Sequence, residues 1–273
     1  MNLLDFRYDK YTTTGNDGII EKIFEILDIQ NGFFVEFGAW DGIKGSNCRR
    51  LFENGWHGIF IEPESSRYSD LQRNYKDCEN IVCIHSMIDT TQNTFDSVVK
   101  EHVNGTIDLC SIDIDGLDLE VFETFEHFMP TVVCIEGGQM LEPNSDRVPE
   151  YIASDNIQQS LKVMTNSFKS RGYVPICSYQ DTFFVKEEYS HLFDTPTNVV
   201  ELYMDGLISH YRRMPWIQMM LKRNGMRNKI IDYALQKTDY HKYGYDQRKV
   251  WGTEEEEKIT SFLKQIKRKF VTK

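Results

Sequence analysis

The feature that most limits how this chain can fold is an alternation of short apolar runs with amphipathic stretches. The runs are 33–37 (FFVEF), 58–61 (GIFI), 81–84 (IVCI), 107–114 (IDLCSIDI) and 131–135 (TVVCI). Helical patterns lie between them near 47–54, 64–76, 93–103 and 117–127. An opening helix through 17–29 sets Ile19, Ile20, Ile23, Phe24 and Leu27 on one face. Strands that alternate with helices build a parallel sheet covered on both faces, and nearly continuous apolar runs suit strands buried on both sides. A fifth helix, 156–170, leads to two more runs, 172–179 (GYVPICSY) and 181–187 (DTFFVKE). One residue separates them, which predicts a hairpin that carries an antiparallel strand to the sheet edge. The expected fold is α/β, a doubly wound, mostly parallel seven-stranded sheet followed by a C-terminal helical extension.

The extension is expected because the pattern changes near residue 195. Residues 1–194 carry 15 Lys+Arg against 33 Asp+Glu, whereas 195–273 carry 16 against 9. The second segment is rich in aromatics, such as Tyr203, Tyr211, Trp216 and Tyr233. Its last helix opens with a capping box, Thr253 and Glu256, and ends in Lys264, Lys267, Arg268 and Lys269, as the helix dipole favours. Two parts are expected, a domain over 1–194 and a basic, aromatic extension over 195–273. Halves of opposite sign fit either mutual docking or an anionic partner. No apolar run approaches the ~18 residues of a membrane span. The start, MNLLDFRYDK, has no signal-peptide pattern, so a cytoplasmic location is expected. The six cysteines are scattered without a CxxC pair, which predicts reduced, buried thiols rather than disulfides or zinc ligands.

The chemical signals sit where strands end. In an open parallel sheet, ligands bind beyond the carboxyl ends of the strands. After the first run the chain reads Glu36-Phe-Gly38-Ala-Trp-Asp41-Gly42, which lacks the third glycine of a dinucleotide cradle. Two acids beside close-approaching backbone better suit a ligand with positive charge, such as the ammonium and sulfonium of S-adenosylmethionine. Glu62 ends the second run 24 residues after Gly38, where an acid accepts hydrogen bonds from a ribose diol. The fourth run ends in SIDIDGLD. Asp113 and Asp115, two apart, would face the same way on an extended strand. Asp118 is expected to cap the helix starting near Leu119. Glu136 would lie alongside if the fifth strand neighbours the fourth. Asp113 and Glu136 could then hold Mg²⁺ or Mn²⁺, or Asp113, Asp115 and Glu136 could supply a general base.

Five pieces, GNDGIIEKIFEIL, FFVEFGAWDGIKGSN, GWHGIFIEPESSRY, LCSIDIDGLDLEVFETF and PTVVCIEGG, resemble in order the FkbM-type class I S-adenosylmethionine-dependent methyltransferases. The resemblance covers about residues 15–186 and implies a Rossmann-like fold with S-adenosylmethionine as cofactor. It also implies that Glu36, Gly38 and Asp41 line the methionine end of the cofactor, with Ser46 and Asn47 near its carboxylate. Asn16 and Asp17 would close over the pocket, Glu62 would hold the ribose, and Met87 and Ile88 would flank the adenine. Asp113 would sit beneath the methyl group, facing the acceptor.

The function expected on these grounds is methylation, at a hydroxyl, of a small polar acceptor such as a sugar, glycan precursor or phosphorylated metabolite. Residues 195–273 would cap the acceptor site, with Arg212 or Arg213 meeting an anionic acceptor, or mediate homo-oligomerisation. His85 and His210 are weaker candidates for the base, and no nucleic-acid partner is expected. A metal-dependent glycosyltransferase using Asp113-Ile-Asp115 as a DxD motif is the alternative, but it leaves Glu36, the Gly38 turn and Glu62 unexplained. An NAD-dependent enzyme is disfavoured by the missing glycine. A non-catalytic module is disfavoured by the full set of acids.

Overall fold

The computed structural model describes residues 1–138, 143–146, 158–196 and 198–209. Residues 210–273, with His210, Arg212, Arg213 and the 253–270 helix pattern, lie outside the described residues, as do 156 and 157 at the start of the expected fifth helix.

The seven expected strands all form: β1 (Phe33–Phe37), β2 (His57–Ile61), β3 (Ile81–Ile84), β4 (Leu109–Ile112), β5 (Val132–Glu136), β6 (Tyr173–Ser178) and β7 (Asp181–Lys186). They make one sheet in the order β3-β2-β1-β4-β5-β7-β6. Strands β1 to β5 pair in parallel, while β7 runs antiparallel to both β5 and β6. This is the expected mostly parallel, seven-stranded, Rossmann-like arrangement. One expectation is corrected. The antiparallel strand is not at the edge; β7 fills the place between β5 and β6, and β6 is the edge. The hairpin allows this because the crossover through the next helix sets β6 one strand-width away from β5, and the tight return drops β7 into the gap.

The helices are α1 (Asn16–Leu27), α2 (Arg49–Glu53), α3 (Ser65–Tyr75), α4 (Phe95–Val99), α5 (Asp118–Phe122), α6 (Leu161–Ser170) and α7 (Val199–Ser209), with 3-10 turns at Leu3–Phe6 and Glu187–Leu192. Several are shorter than their sequence patterns; α2, α4 and α5 have five residues each. Strand alternation sorts the core into two layers. Phe34, Phe60 and Cys134 face α1, α2 and α3, where Ile19, Phe24 and Leu71 meet them. Val35, Ile59 and Val133 face α4, α5 and α6, where Phe95, Phe122 and Phe168 meet them. On this second face Phe168 stacks between Phe122 and Phe184 with ring centroids 3.7 Å apart on each side. α7 packs against β6, α6 and the first 3-10 turn, with Leu202 and Tyr203 buried. All six cysteines are free; Cys48, Cys110, Cys134 and Cys177 are buried as expected, whereas Cys78 and Cys83 are only half-buried, and Cys83, Cys110 and Cys134 lie in β3, β4 and β5. Among the described residues no helix is long and apolar enough to cross a membrane.

Candidate functional site

The strand order reverses between β1 and β4, so their carboxyl ends flank the crevice where ligands of such sheets bind. Gly38, the first residue after β1, has φ +75°. A Cβ there would lie 1.7 Å from the carbonyl oxygen of Asp113, so only glycine lets the β1 loop pass this close to the end of β4. The loop then leans on β2, where Ala39 N–H donates to the Ile61 carbonyl at 3.2 Å. Trp40 follows with φ +52°, a conformation that bulky side chains seldom adopt and that concentrates at functional sites. Glu62 holds it there: one carboxylate oxygen accepts Trp40 N–H and the other accepts Glu64 N–H, both at 2.8 Å. Each oxygen keeps a further lone pair. The Trp40 ring is exposed, with the Arg67 guanidinium 4.5 Å from its centroid. Asp41 closes the turn by accepting Ile43 N–H and Lys44 N–H at 2.9 and 2.8 Å.

Beneath this loop Glu36 is buried and works as its anchor. Its carboxylate accepts Ser46 Oγ–H at 2.6 Å, Asn47 N–H at 2.8 Å and Cys48 N–H at 3.3 Å. Burial pushes this carboxyl up to about 7, and the three donors pull the other way. The Asn47 amide accepts from Asn16 at 2.9 Å and donates to Ser111 Oγ at 3.0 Å, linking α1, the loop and β4. Asp17, also buried, gathers Lys10, Tyr11 and Thr12 N–H on one oxygen at 2.8–2.9 Å. Asn16, Asp17, Glu36, Ser46 and Asn47 thus form one buried polar layer below the loop of Gly38, Trp40 and Asp41.

On the β4 side, the oxygens of Asp113, Asp115 and Glu136 lie within 4.8 Å of one another. The sequence anticipated this meeting for a different reason. β4 stops at Ile112, so Asp113 and Asp115 do not share a strand face; Asp115 sits in a turn with φ +59°. Asp118 folds that turn, accepting Ile114 N–H and Gly116 N–H at 2.9 Å each. It does not cap α5 with its side chain as expected, because its oxygens point back into the preceding loop. Asp113 and Asp115 are exposed and Glu136 is half-buried. Desolvation by the protein atoms around it, together with the charges of Glu136, Asp181, Asp118 and Asp115, raises the Asp113 carboxyl above the ordinary range.

Two residues of this edge escaped the sequence reading. Asp181 pairs in register with Glu136 and accepts the Asn16 amide at 2.5 Å. Its signal was the antiparallel strand itself, whose first residue lies beside the last residues of parallel neighbours. Gln158 donates to Asp118 at 2.9 Å and to Glu136 at 3.2 Å; the helix pattern expected from 156 covered it, but α6 starts only at Leu161 and leaves Gln158 in the preceding segment. Met87 is exposed after β3, whereas Ile88 is buried in the second core layer. His85 stacks on Tyr68 with centroids 4.7 Å apart and contacts Pro63 O and Ser65 Oγ.

No known protein-family model and no curated protein matches this chain. Solved structures do resemble it. A SAM-dependent methyltransferase from Aquifex aeolicus is 11% identical over 60% of this chain and 86% of its own, with a TM-score of 0.40. M. capricolum TrmK, in complex with S-adenosyl-homocysteine, is 12% identical over 79% of this chain and 93% of its own, with a TM-score of 0.42. A SAM-dependent methyltransferase from Thiobacillus denitrificans, in complex with S-adenosyl-L-homocysteine, is 12% identical over 86% and 88%, with a TM-score of 0.35. Scores this low add nothing to the strand order, which by itself assigns the chain its Rossmann-like fold.

Proposed function

We propose that the chain is an S-adenosylmethionine-dependent methyltransferase of the FkbM type that methylates a hydroxyl of a small polar acceptor such as a sugar, glycan precursor or phosphorylated metabolite. The observation that carries this reading is the pair of acids on either side of Gly38 at the point of strand reversal, Glu62 ending β2 and Asp113 following β4. The donor set fits the cofactor: a glycine turn that no Cβ could share, an acid with lone pairs left for a ribose diol, and a carboxylate-rich edge for a cation. When bound, S-adenosylmethionine supplies an electrophilic methyl group on a sulfonium. Glu62 receives the ribose hydroxyls, the Gly38–Asp41 turn meets the methionine end, and the Glu36–Ser46–Asn47 layer keeps that turn in shape. Asp113, at the acceptor side of the crevice, takes the proton of the acceptor hydroxyl. Asp115 and Glu136 orient the acceptor. The all-oxygen set of Asp113, Asp115 and Glu136 also fits Mg²⁺ or Mn²⁺, which would sharpen the acidity of a bound hydroxyl.

Calorimetry with S-adenosylhomocysteine tests the reading. The wild-type chain should bind it, and Glu62→Ala and Asp41→Ala should each weaken binding by about tenfold, roughly one lost hydrogen-bonding site. Unchanged affinity in both variants, or no binding by the wild type, overturns it. The convergence of Asp113 and Asp115 also favours a second reading, the metal-dependent glycosyltransferase. Binding of a UDP-sugar in Mn²⁺ without S-adenosylhomocysteine binding would select that instead.

A further inference from the structure

Three carboxylates held close together repel one another, and something must keep them there. β4 cannot, because it ends before Asp113. We propose that Gln158 is a positioning residue for this site, its side-chain amide tying Asp118 to Glu136 and thereby holding Asp115 and Glu136 beside Asp113. The kinetic consequence rests on the methyltransferase reading; the structural one does not.

Gln158 is buried, at 2% exposure. Its amide nitrogen carries two hydrogens, and it lies 2.9 Å from Asp118 Oδ2 and 3.2 Å from Glu136 Oε2. Both partners are acceptors, so the orientation of the amide is dictated. The Asp118 carboxylate then accepts Ile114 N–H and Gly116 N–H, one on each side of Asp115. One amide therefore joins the turn that carries Asp115 to the strand that carries Glu136. The backbone explains how Gln158 reaches the site. Gly138 bridges Ser160 as a short parallel pairing, and Gly138 N–H donates to the Gln159 carbonyl at 3.1 Å. Gly137, at φ +124°, has no room for a side chain, since a Cβ would lie 2.9 Å from the Gln158 Cβ. Gly137 thus leaves room for Gln158 at the end of β5, while Gly138 leaves room for Thr182 and Leu161, which a Cβ would meet at 2.7 and 3.2 Å.

The experiment uses the full chain with Gln158→Met, which keeps the length of the side chain but donates nothing, and Gln158→Glu, which adds a carboxylate instead. Amide hydrogen exchange without added cofactor is the first readout. Protection should fall at Ile114 and Gly116 in both variants, while amides in the middle of β4 and β5 keep theirs. The second readout is the split between binding and turnover. S-adenosylhomocysteine affinity should stay within about twofold, and kcat should fall about 10–100-fold, the usual effect of removing a group that orients ligating carboxylates. Unchanged protection at Ile114 and Gly116 overturns the clamp, and so does a loss of protection spread evenly over the sheet, which would make Gln158 a general packing residue. A wild-type chain that binds no S-adenosylhomocysteine defeats the methyltransferase reading alone, because the exchange data still decide the clamp.

Discussion

Glu36 shows how one carboxyl can serve both fold and site. It is buried below the β1 loop, and its carboxyl is raised to about 7, while the unfolded chain keeps the ordinary value of 4.5. The folded state therefore holds this proton more tightly. Its contribution to stability is complete below pH 4.5 and is lost as the pH rises to about 7. Over that window the loss amounts to about 3 kcal/mol. Glu36→Gln should flatten this part of the stability curve, as urea unfolding at pH 5 and pH 7.5 would show; an equal decline in both proteins would contradict it. Asp113 carries the companion prediction for chemistry. Asp113→Asn keeps the shape but cannot take a proton, so turnover should fall by about 10²–10⁴-fold. Cofactor affinity, measured separately by calorimetry, should change little, since Asp113 is assigned to the acceptor side. Of these two residues the sequence revealed the position of both. It did not reveal that Glu36 is enclosed by Ser46, Asn47 and Cys48, because no periodicity reports which donors a loop folds back onto a strand.

At the scale of elements, the start of α1 is tied to the chain before it by several contacts, of which Asp17 gathers the most. Asp17 collects three successive backbone N–H groups and the Thr12 hydroxyl on one oxygen, which fixes residues 10–12 against the first helix turn. The neighbouring Gly45 N–H donates to the Tyr11 carbonyl at 3.0 Å, so the same segment also braces the β1 loop. Removing the carboxylate strands those donors. Asp17→Ala should cost about 2–4 kcal/mol in urea unfolding, because charge-assisted bonds are lost and partly buried donors go unmet. It should also weaken S-adenosylhomocysteine binding, while Asp17→Asn, which can still accept, should recover part of both. The helices themselves were legible from their apolar spacing, down to Ile19, Ile23 and Phe24 on the face that α1 buries. The hairpin was legible too, from the single residue between its strands. Its seat between β5 and β6 was not, since a turn sets which strands pair but says nothing about which gap they enter.

For the whole molecule, binding and folding are linked. A ligand that meets only the folded state stabilises it by about 3 kcal/mol at a hundred times its dissociation constant. S-adenosylhomocysteine should therefore raise Tm, and that rise should shrink in Glu62→Ala at the same concentration. The extension is best cut after Ser209 rather than after residue 194, because α7 buries Leu202 and Tyr203 against the sheet. A chain ending at Ser209 should keep the Tm rise. If residues 210–273 supply the acceptor site, it should also lose transfer; full transfer by the shortened chain would rule out that role.

Local chemistry determined a great deal by itself. Alternating apolar runs could only be buried strands, their spacing required crossovers, and the acids at their ends had to gather at one edge of the sheet. Those are consequences of side-chain period and chain length, which any window of sequence displays. The tertiary structure decided what depends on distance across the chain: β7 entering beside β5, and Asp181 and Gln158 arriving from more than 20 residues beyond Glu136. Hydrogen bonds between segments so far apart leave no periodic trace, because each partner is chosen by where the folded backbone sets it and not by its neighbours in sequence.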